Sequence, residues 1–382
     1  MKKISLIGST GSIGRQTVEV VLNNPDKFKI VALAANCSHG LFNKQLSALR
    51  PAYAALAADN AAKKITEVPA GTPLYPGEEA ALAAASYEEA DIVLVAAGGF
   101  AGLKYSLAAI NAGKVLALAN KETLVCGGDL VMPLIKKMGG DIRPVDSEHS
   151  AIWQCLGFNL AAPFKRLLIT ASGGAFRDFT PEQLGSVTPE MALRHPTWNM
   201  GAKITIDSAT MLNKGFEVIE AHHLFGAEYA AITAVLHPQS IVHSMVEFCD
   251  GAVVAQLSNP TMKLPIQLAL GYPERAPTEG AEPDFSKALS LSFEPISRGR
   301  FPCFDIALDC ARAGGTLPCV LNAAGEVAVH AFLSGGLKFT DIARVIDGTV
   351  CRGPALRVES YEQLCEADAR ARAVAAELIA GL

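Results

Sequence analysis

The 382 residues contain no uninterrupted apolar run of the ~18 residues that a membrane-spanning helix needs. The longest candidate, Ile92–Leu103, is broken by Gly98, Gly99 and Gly102 and ends at Lys104. A soluble protein without a membrane partner is therefore expected. The opening Met1-Lys2-Lys3 is followed by an apolar stretch that stops at Gly8, too short for the core of an export signal. There is no surplus of basic charge either. Lys plus Arg number 33 against 38 Asp plus Glu, a net charge of −5, which leaves no footprint for nucleic acid. The nine cysteines are odd in number and never spaced C-x-x-C, so neither a disulfide framework nor a structural zinc is expected, and a reducing cytoplasm fits. The sequence also lacks the G-x-S-x-G elbow, the P-loop and H-E-x-x-H, which disfavours serine hydrolases, P-loop NTPases and zincins. Disorder is excluded by the composition, 50% hydrophobic and 19% charged.

What is present divides into regions of different texture. Up to residue 145, short apolar runs bounded by glycine alternate with helical stretches, the mark of a parallel sheet with crossover helices. Strands are expected at Lys3–Ile7, Lys29–Ala35, Ile92–Ala96, Val115–Ala119 and Asp141–Val145, and helices at Gly14–Leu22, Phe42–Leu49 and Leu103–Ala112. The fold class read from this is α/β: an N-terminal Rossmann-like, doubly wound parallel sheet over 1–145. A central α+β catalytic domain over 146–272 is expected next. It has a strand Arg166–Thr170, a long loop, a helix from Ser208 to Phe225 and a hairpin of Ile241–Cys249 with Ala252–Leu257 around Asp250-Gly251. Residues 273–300, rich in Pro and Gly, read as a linker, and the Ala-rich 301–382 as a C-terminal helical domain.

The first strand delivers Gly8-Ser9-Thr10-Gly11-Ser12-Ile13-Gly14 and then an amphipathic helix. Backbone N–H groups and the helix dipole would converge there on a pyrophosphate. The spacing is G-x-x-G-x-x-G, so glycines that merely turn a tight corner are the competing reading. An NAD site would put a carboxylate after the second strand to bind the ribose 2′-hydroxyl. This chain has Asn36-Cys37-Ser38-His39 instead. Nothing there repels a 2′-phosphate, and Ser38 and His39 offer donors to it, so NADP is preferred over NAD, with an ordinary polar turn as the alternative.

Asp146-Ser147-Glu148 follows the last strand of the first region, where alternation would place residues i and i+2 on one side. A third carboxylate is available on the 208–225 helix, where Asn213 and Glu217 are i, i+4 and Lys214 and Glu217 are i, i+3. Oxygen ligands of this kind suit Mg²⁺ or Mn²⁺, but taken alone an Asp-x-Glu after a strand is more often a loop standing in solvent than a metal site. Ser208, Asn213 and Lys214 lie near a helix start and offer a phosphate site or, equally, a cap and a solvated lysine. Asn120-Lys121-Glu122 follows a strand on the same sheet edge as the glycine loop. His222-His223 has no metal-ligand spacing, and a structural role is expected there.

Taken in order, Gly8 to Gly14, Ala119-Asn120-Lys121-Glu122, Asp146-Ser147-Glu148-His149, Ala171-Ser172-Gly173-Gly174 and His195-Pro196-Thr197-Trp198-Asn199-Met200-Gly201 resemble the 1-deoxy-D-xylulose 5-phosphate reductoisomerase family. The segment 203–217, His237-Pro238-Gln239-Ser240 and Leu321-Asn322-Ala323-Ala324 extend the likeness over nearly the whole chain. The resemblance implies a homodimeric enzyme of isoprenoid precursor synthesis that isomerises and reduces a small phosphorylated sugar. It would use NADPH and Mn²⁺ or Mg²⁺, with Co²⁺ a further candidate. By motif position, Asp146, Glu148 and Glu217 would be the metal ligands, and with Lys121 and His195 the catalytic residues. Lys121, Ser147, Glu148 and Glu217 would meet the substrate's oxygens. Ser172, Ser208, Asn213 and Lys214 would form the phosphate pocket, and His195 and Trp198 would lie on a flexible flap. Cofactor contacts would come from Gly8, Thr10, Gly11, Ser12, Ile13, Asn120, Glu122 and Gly201, with Asn36, Cys37 and Ser38 at the 2′-phosphate. Many relatives carry Gly-Lys-Asn or an Arg-bearing turn where this chain has Asn36-Cys37-Ser38, so an expected cation is missing. Two other classes use many of the same features: an NADP-linked dehydrogenase of another phosphorylated sugar, and a nucleotide-sensing module.

Overall fold

The structure is a computed structural model and describes every residue except 195, 196 and 199. The chain forms two compact units. One holds Met1–Thr123, Val131–Ser150 and Thr261–Ala281; the other holds Leu124–Leu130, Ala151–Pro260 and Glu282–Leu382. Among the described residues no helix is long and apolar enough to cross a membrane.

The first unit is built on seven parallel strands: β1 (Lys2–Ile7), β2 (Phe28–Ala35), β3 (Tyr53–Leu56), β4 (Leu74–Pro76), β5 (Ile92–Val95), β6 (Val115–Leu118) and β7 (Ile142–Pro144). Their order is β4-β3-β2-β1-β5-β6-β7, so the direction of winding reverses between β1 and β5. A crevice opens beyond the strand ends at such a reversal, and the glycine loop leaves β1 there. Crossover helices cover both faces of a parallel sheet, which is why β5 reads as the uninterrupted run Ile-Val-Leu-Val, buried throughout. The core gathers Ile4, Leu6, Leu33, Leu56 and Leu94 of the sheet with Val18 and Val21 of the Ser12–Leu22 helix. The helix Lys263–Gly271 returns from far along the chain to add Ile266, Ala269 and Leu270 to that core. It is tied down by polar contacts as well. Lys2 Nζ donates to Gly271 O at 3.0 Å, Arg143 Nη1 donates to Ala269 O at 3.0 Å, and Lys263 pairs with Glu19 at 2.8 Å.

The second unit carries a mixed sheet of β8 (Arg166–Ala171), β9 (Ile232–Leu236), β10 (Val242–Glu247), β11 (Val253–Leu257) and β12 (Glu294–Pro295), in the order β11-β10-β8-β9-β12. β8 and β9 are parallel and the other pairs antiparallel. The Asp250-Gly251 hairpin joins β10 to β11. Gly251 has φ +88°, and Asp250 Oδ1 accepts from the Ala252 N–H at 2.9 Å. The expected single helix from Ser208 to Phe225 is two helices, Ala202–Ala209 and Leu212–Phe225. The break has a local cause. Thr210 turns its hydroxyl back onto Ile206 O at 3.0 Å, and Met211 adopts φ +61°. The loop before them contains two four-residue helices, Pro181–Leu184 and Pro189–Ala192, each with a proline at its start and each capped by a threonine, Thr180 and Thr188. Four helices, Pro302–Ala313, Leu317–Leu333, Asp341–Val350 and Tyr361–Ala380, make up the helical C-terminal part.

Candidate active site

In the first unit the glycine loop turns sharply from β1 into the Ser12–Leu22 helix. Gly8 has φ +87°, and a Cβ there would stand 2.6 Å from the carbonyl of Ala96 on the neighbouring strand's end. A Cβ at Gly14 would stand 2.3 Å from Gly8 O. The loop folds onto itself, with the Gly11 N–H donating to Gly8 O at 3.1 Å. The first N–H groups of the helix, at Ser12 and Ile13, have no carbonyl one turn back and so face an anion site. Sequence reading missed the support for this loop. Ser9 Oγ donates to Gln45 Oε1 at 2.7 Å, while Gln45 Nε2 donates back to Ser9 O at 2.8 Å. Asn36, Cys37 and Ser38, at the end of β2, are exposed and leave room at the expected 2′-phosphate position.

Asn120 is an organiser of the same edge. Its Oδ1 accepts from the Thr123 N–H at 3.0 Å, capping the helix that begins at Glu122, and its Nδ2 donates to Gly99 O at 3.0 Å and Glu122 Oε2 at 2.7 Å. Gly102 is a glycine because a Cβ would collide with this amide, 2.2 Å from Oδ1. Lys121, buried beside it, pairs with Asp146 Oδ2 at 2.8 Å.

The acidic pair after β7 is not extended, as alternation would have it. Ser147 to Cys155 is a helix, and Asp146 stands just before its first turn. There Asp146 O accepts from the Ser150 N–H at 2.8 Å and its Oδ1 accepts from the Ser147 N–H at 2.9 Å. An aspartate satisfies orphan N–H groups at a helix start, which is what ends the strand. Ser147 Oγ donates to Glu148 Oε2. His149, fully buried, brings Nδ1 to 3.7 Å from Asp146 Oδ2. Burial alone would raise the Asp146 pKa, but the Lys121 ammonium and His149 hold the carboxyl far below its usual range. Asp146 is therefore an anionic, hard oxygen donor at neutral pH. The i, i+3 spacing of Asp146 and His149 would have revealed the histidine had a helix been expected.

In the second unit β8 ends in Ser172-Gly173-Gly174. Gly174 has φ +70°, and a Cβ would stand 2.5 Å from Ser208 O, so this turn is pressed against the end of the Ala202–Ala209 helix. Ser172 and Ser208 are thereby brought to one place from positions 36 residues apart. Ser172 Oγ accepts from the Gly174 N–H at 3.2 Å. In the first turn of the next helix, Asn213 Nδ2 and Lys214 Nζ both donate to the Glu217 carboxylate, one to each oxygen. Lys214 and Glu217 are 4% and 1% exposed. The polar face expected from the spacing exists, and it is buried.

Trp198 lies edge-on to His243 of β10, ring centres 5.9 Å apart, and Thr197 Oγ1 is 3.5 Å from Ser240 Oγ. His195 lies outside the described residues. Gly201 begins the Ala202–Ala209 helix in open space, exposed. His237 has a scaffold role. Its Nδ1 meets Ser292 O at 2.9 Å, and its Nε2 accepts from the N–H groups of Ile241 and Val242 at 3.2 and 3.1 Å. His222 and His223 are structural too, His222 stacked on Tyr229 and His223 packed where Gly128 leaves space.

A family model described as 1-deoxy-D-xylulose 5-phosphate reductoisomerase matches residues 4–128, and two models of that enzyme's C-terminal domain match 142–225 and 257–374. The 1-deoxy-D-xylulose 5-phosphate reductoisomerase of Pelotomaculum thermopropionicum is 48% identical over 385 residues, covering all of both chains. That of Synechocystis is 48% identical over 91% of this chain and 90% of its own. The Zymomonas mobilis reductoisomerase, solved in complex with NADPH, superimposes with a TM-score of 0.92 at 38% identity over the whole of both chains. A DOX-P reductoisomerase solved with NADPH, fosmidomycin and magnesium gives a TM-score of 0.94 at 38% identity, covering 99% of this chain and 98% of its own.

Proposed function

The chain belongs to the 1-deoxy-D-xylulose 5-phosphate reductoisomerase family, and from that premise we propose how its residues divide the work. The enzyme converts 1-deoxy-D-xylulose 5-phosphate to 2-C-methyl-D-erythritol 4-phosphate in isoprenoid precursor synthesis, with NADPH and a divalent metal ion. The observation that carries the assignment of roles is the set of hard oxygen donors, with Asp146 held anionic by Lys121 and His149.

Both groups fit the residues present. The Gly8–Gly14 loop, whose exposed middle glycine Gly11 leaves the backbone open to close approach, presents a helix N-terminus to the NADPH pyrophosphate. Asn120 and Glu122 stand on the same sheet edge. Asp146, Glu148 and Glu217 would together hold Mg²⁺ or Mn²⁺, ions that prefer carboxylate oxygen. When bound, the metal ion polarises the substrate's hydroxyl and carbonyl oxygens and the nicotinamide supplies hydride.

The chain's own residues bind, orient and shield. Ser172, Ser208, Asn213 and Lys214 take the substrate phosphate, and Lys214 is released for it when Glu217 takes up a cation. The ion pair seen between them thus serves as the resting partner of each. Phosphate binding away from the reacting carbons supplies energy for positioning. Lys121 holds Asp146 in its anionic form and presents an ammonium to a substrate oxygen. The segment bearing His195 and Trp198 covers the substrate and keeps water from the rearranging carbons.

In the same reading the protein is a cytoplasmic homodimer. Exposed apolar side chains support the dimer: Val253 and Val254 on the edge strand β11 are 50% and 44% exposed and Phe285 is 72% exposed, surface that a second copy would cover. Sedimentation at the mass of one chain, 40.1 kDa, would overturn it. The reaction is tested by carbon NMR of labelled substrate incubated with NADPH and Mg²⁺. A methyl-bearing tertiary alcohol carbon is expected; a straight-chain reduced sugar would show a plain dehydrogenase instead.

A further inference from the structure

Asn120 stands just after β6 in the first unit, and only 2% of it is exposed. Its amide has two N–H groups and two carbonyl lone pairs to offer. All four are used within the chain. Nδ2 donates to Gly99 O at 3.0 Å and to Glu122 Oε2 at 2.7 Å, while Oδ1 accepts from the Thr123 N–H at 3.0 Å and from Thr123 Oγ1 at 2.6 Å. The orientation of the amide is fixed from both sides, because the Gly99 carbonyl needs a donor and the Thr123 N–H needs an acceptor. Behind it stands Ser106, fully buried, its Oγ 3.0 Å from Thr123 Oγ1 and 3.2 Å from Gly102 O. The single hydroxyl hydrogen of Thr123 goes to Asn120, so Ser106 donates to the Thr123 oxygen. The donors therefore run one way, from Ser106 to Thr123 to Asn120.

A side chain whose bonding capacity is filled and whose surface is covered has nothing to give a cofactor. Glu122 differs, because a carboxylate has about four acceptor positions and the bond from Asn120 takes one. Its place in the sheet matters too. With the adenosine ribose at the end of β2 and the pyrophosphate at the loop after β1, the nicotinamide half extends toward the ends of β5 and β6, the strands that Gly99 and Asn120 follow.

We propose that Asn120 is a positioning residue that acts on NADPH through Glu122, with Ser106 and Thr123 locking the amide that aims the carboxylate at a hydroxyl of the nicotinamide ribose. This rests on the reading of the same sheet edge as the NADPH site. The aim matters because a hydrogen bond to a carboxylate is stronger than one between neutral groups and weakens steeply with misalignment.

The test titrates the full-length protein with NADPH, followed by nicotinamide fluorescence, and with adenosine 2′,5′-bisphosphate, which lacks the nicotinamide half, followed by calorimetry. Glu122→Ala and Asn120→Ala should each raise the NADPH Kd about tenfold or more, as expected for one hydrogen bond to a charged group. Both should leave the Kd of the bisphosphate within about twofold of wild type, which also reports that the first unit is folded. In the Glu122→Ala background, Asn120→Ala should add less than about twofold. Thr123→Val should weaken NADPH about three- to fivefold, and Thr123→Ser, which keeps the hydroxyl, should restore it. An equal cost of Asn120→Ala with and without Glu122 would make Asn120 a contact in its own right and overturn the proposal. Equal weakening of the bisphosphate and NADPH by Asn120→Ala would overturn it as well, leaving only a helix cap. An NADPH Kd unchanged in Glu122→Ala would instead overturn the reading of Glu122 as a cofactor contact, and the proposal with it.

Discussion

Glu217→Gln separates the structural and chemical roles of one carboxylate. In the resting protein Glu217 accepts from Asn213 on one oxygen and from Lys214 on the other, and all but 1% of its surface is buried. A glutamine must turn its NH₂ toward one of those two donors, and Lys214, only 4% exposed, is left as an unbalanced buried cation. Breaking a buried pair from one side costs about 3–5 kcal/mol. For a unit of this size that corresponds to roughly 6–20 °C in the melting temperature, at about 2–4 °C per kcal/mol. Adding Lys214→Met removes the stranded charge, so the double variant should recover most of that loss. Turnover should not recover. Loss of an outer-shell partner of a metal ligand costs ~10–100-fold, and removing an anionic ligand itself should cost at least as much and raise the Mg²⁺ concentration needed for half-maximal rate. Scanning calorimetry and metal titrations of NADPH oxidation, on wild type and both variants, give the comparison. A single variant that melts within about 2 °C of wild type, with a superimposable metal titration, would refute both the buried pairing and the ligand role.

Two more perturbations follow from other parts of the molecule. Ser38→Asp puts a carboxylate in the exposed turn after β2 and should move kcat/KM preference from NADPH toward NADH by at least about fivefold, since a charge pair a few ångströms apart near the surface is worth about 1–4 kcal/mol; an unchanged ratio would remove this turn from the 2′-phosphate site. Burial holds His223 neutral, its pKa pushed down to about 3. The unfolded chain takes up that proton below about 6.5 and the folded chain does not, so stability is full above that pH and falls by up to ~1.4 kcal/mol per unit between 6.5 and 3. His223→Phe should flatten the acid limb of melting temperature against pH relative to wild type, and parallel limbs would show that His223 does not titrate in this way.

What the sequence made legible depended on how far apart the interacting residues lie. Asn213, Lys214 and Glu217 are within one helical turn, and their shared face was readable from spacing alone. β1, its loop and the following helix are contiguous, and they form as the pattern predicts. β3 and β4, four and three residues long, were not readable: Tyr53–Leu56 is half alanine, and Leu74–Pro76 is too short to show a period. The Lys263–Gly271 helix gave no sign that it would return to the first sheet, because the contacts that hold it, Lys2 to Gly271 and Arg143 to Ala269, span 269 and 126 residues. Gln45 was unreadable for the same reason, acting on Ser9 across 36 residues.

Glycine carries two kinds of information that sequence spacing merges and the structure separates. Gly8 and Gly14 are demanded by the protein itself, since a side chain at either would run into backbone atoms within 2.6 Å. Their presence is therefore no evidence for a cofactor; a tight strand-to-helix corner explains them. Gly11 differs. The nearest atoms to a Cβ there are Gly8 O at 3.4 Å and Ala96 O at 3.9 Å, ordinary contact distances, and its φ of −71° suits any residue. Packing within the chain leaves that position open to alanine, and it stands exposed just before the first helical N–H groups. Close approach of an anion's oxygens to the backbone is the requirement that a side chain at Gly11 would violate. Dinucleotide binding thus depends on the middle glycine and the helix start, whereas the outer two glycines make the corner that carries both.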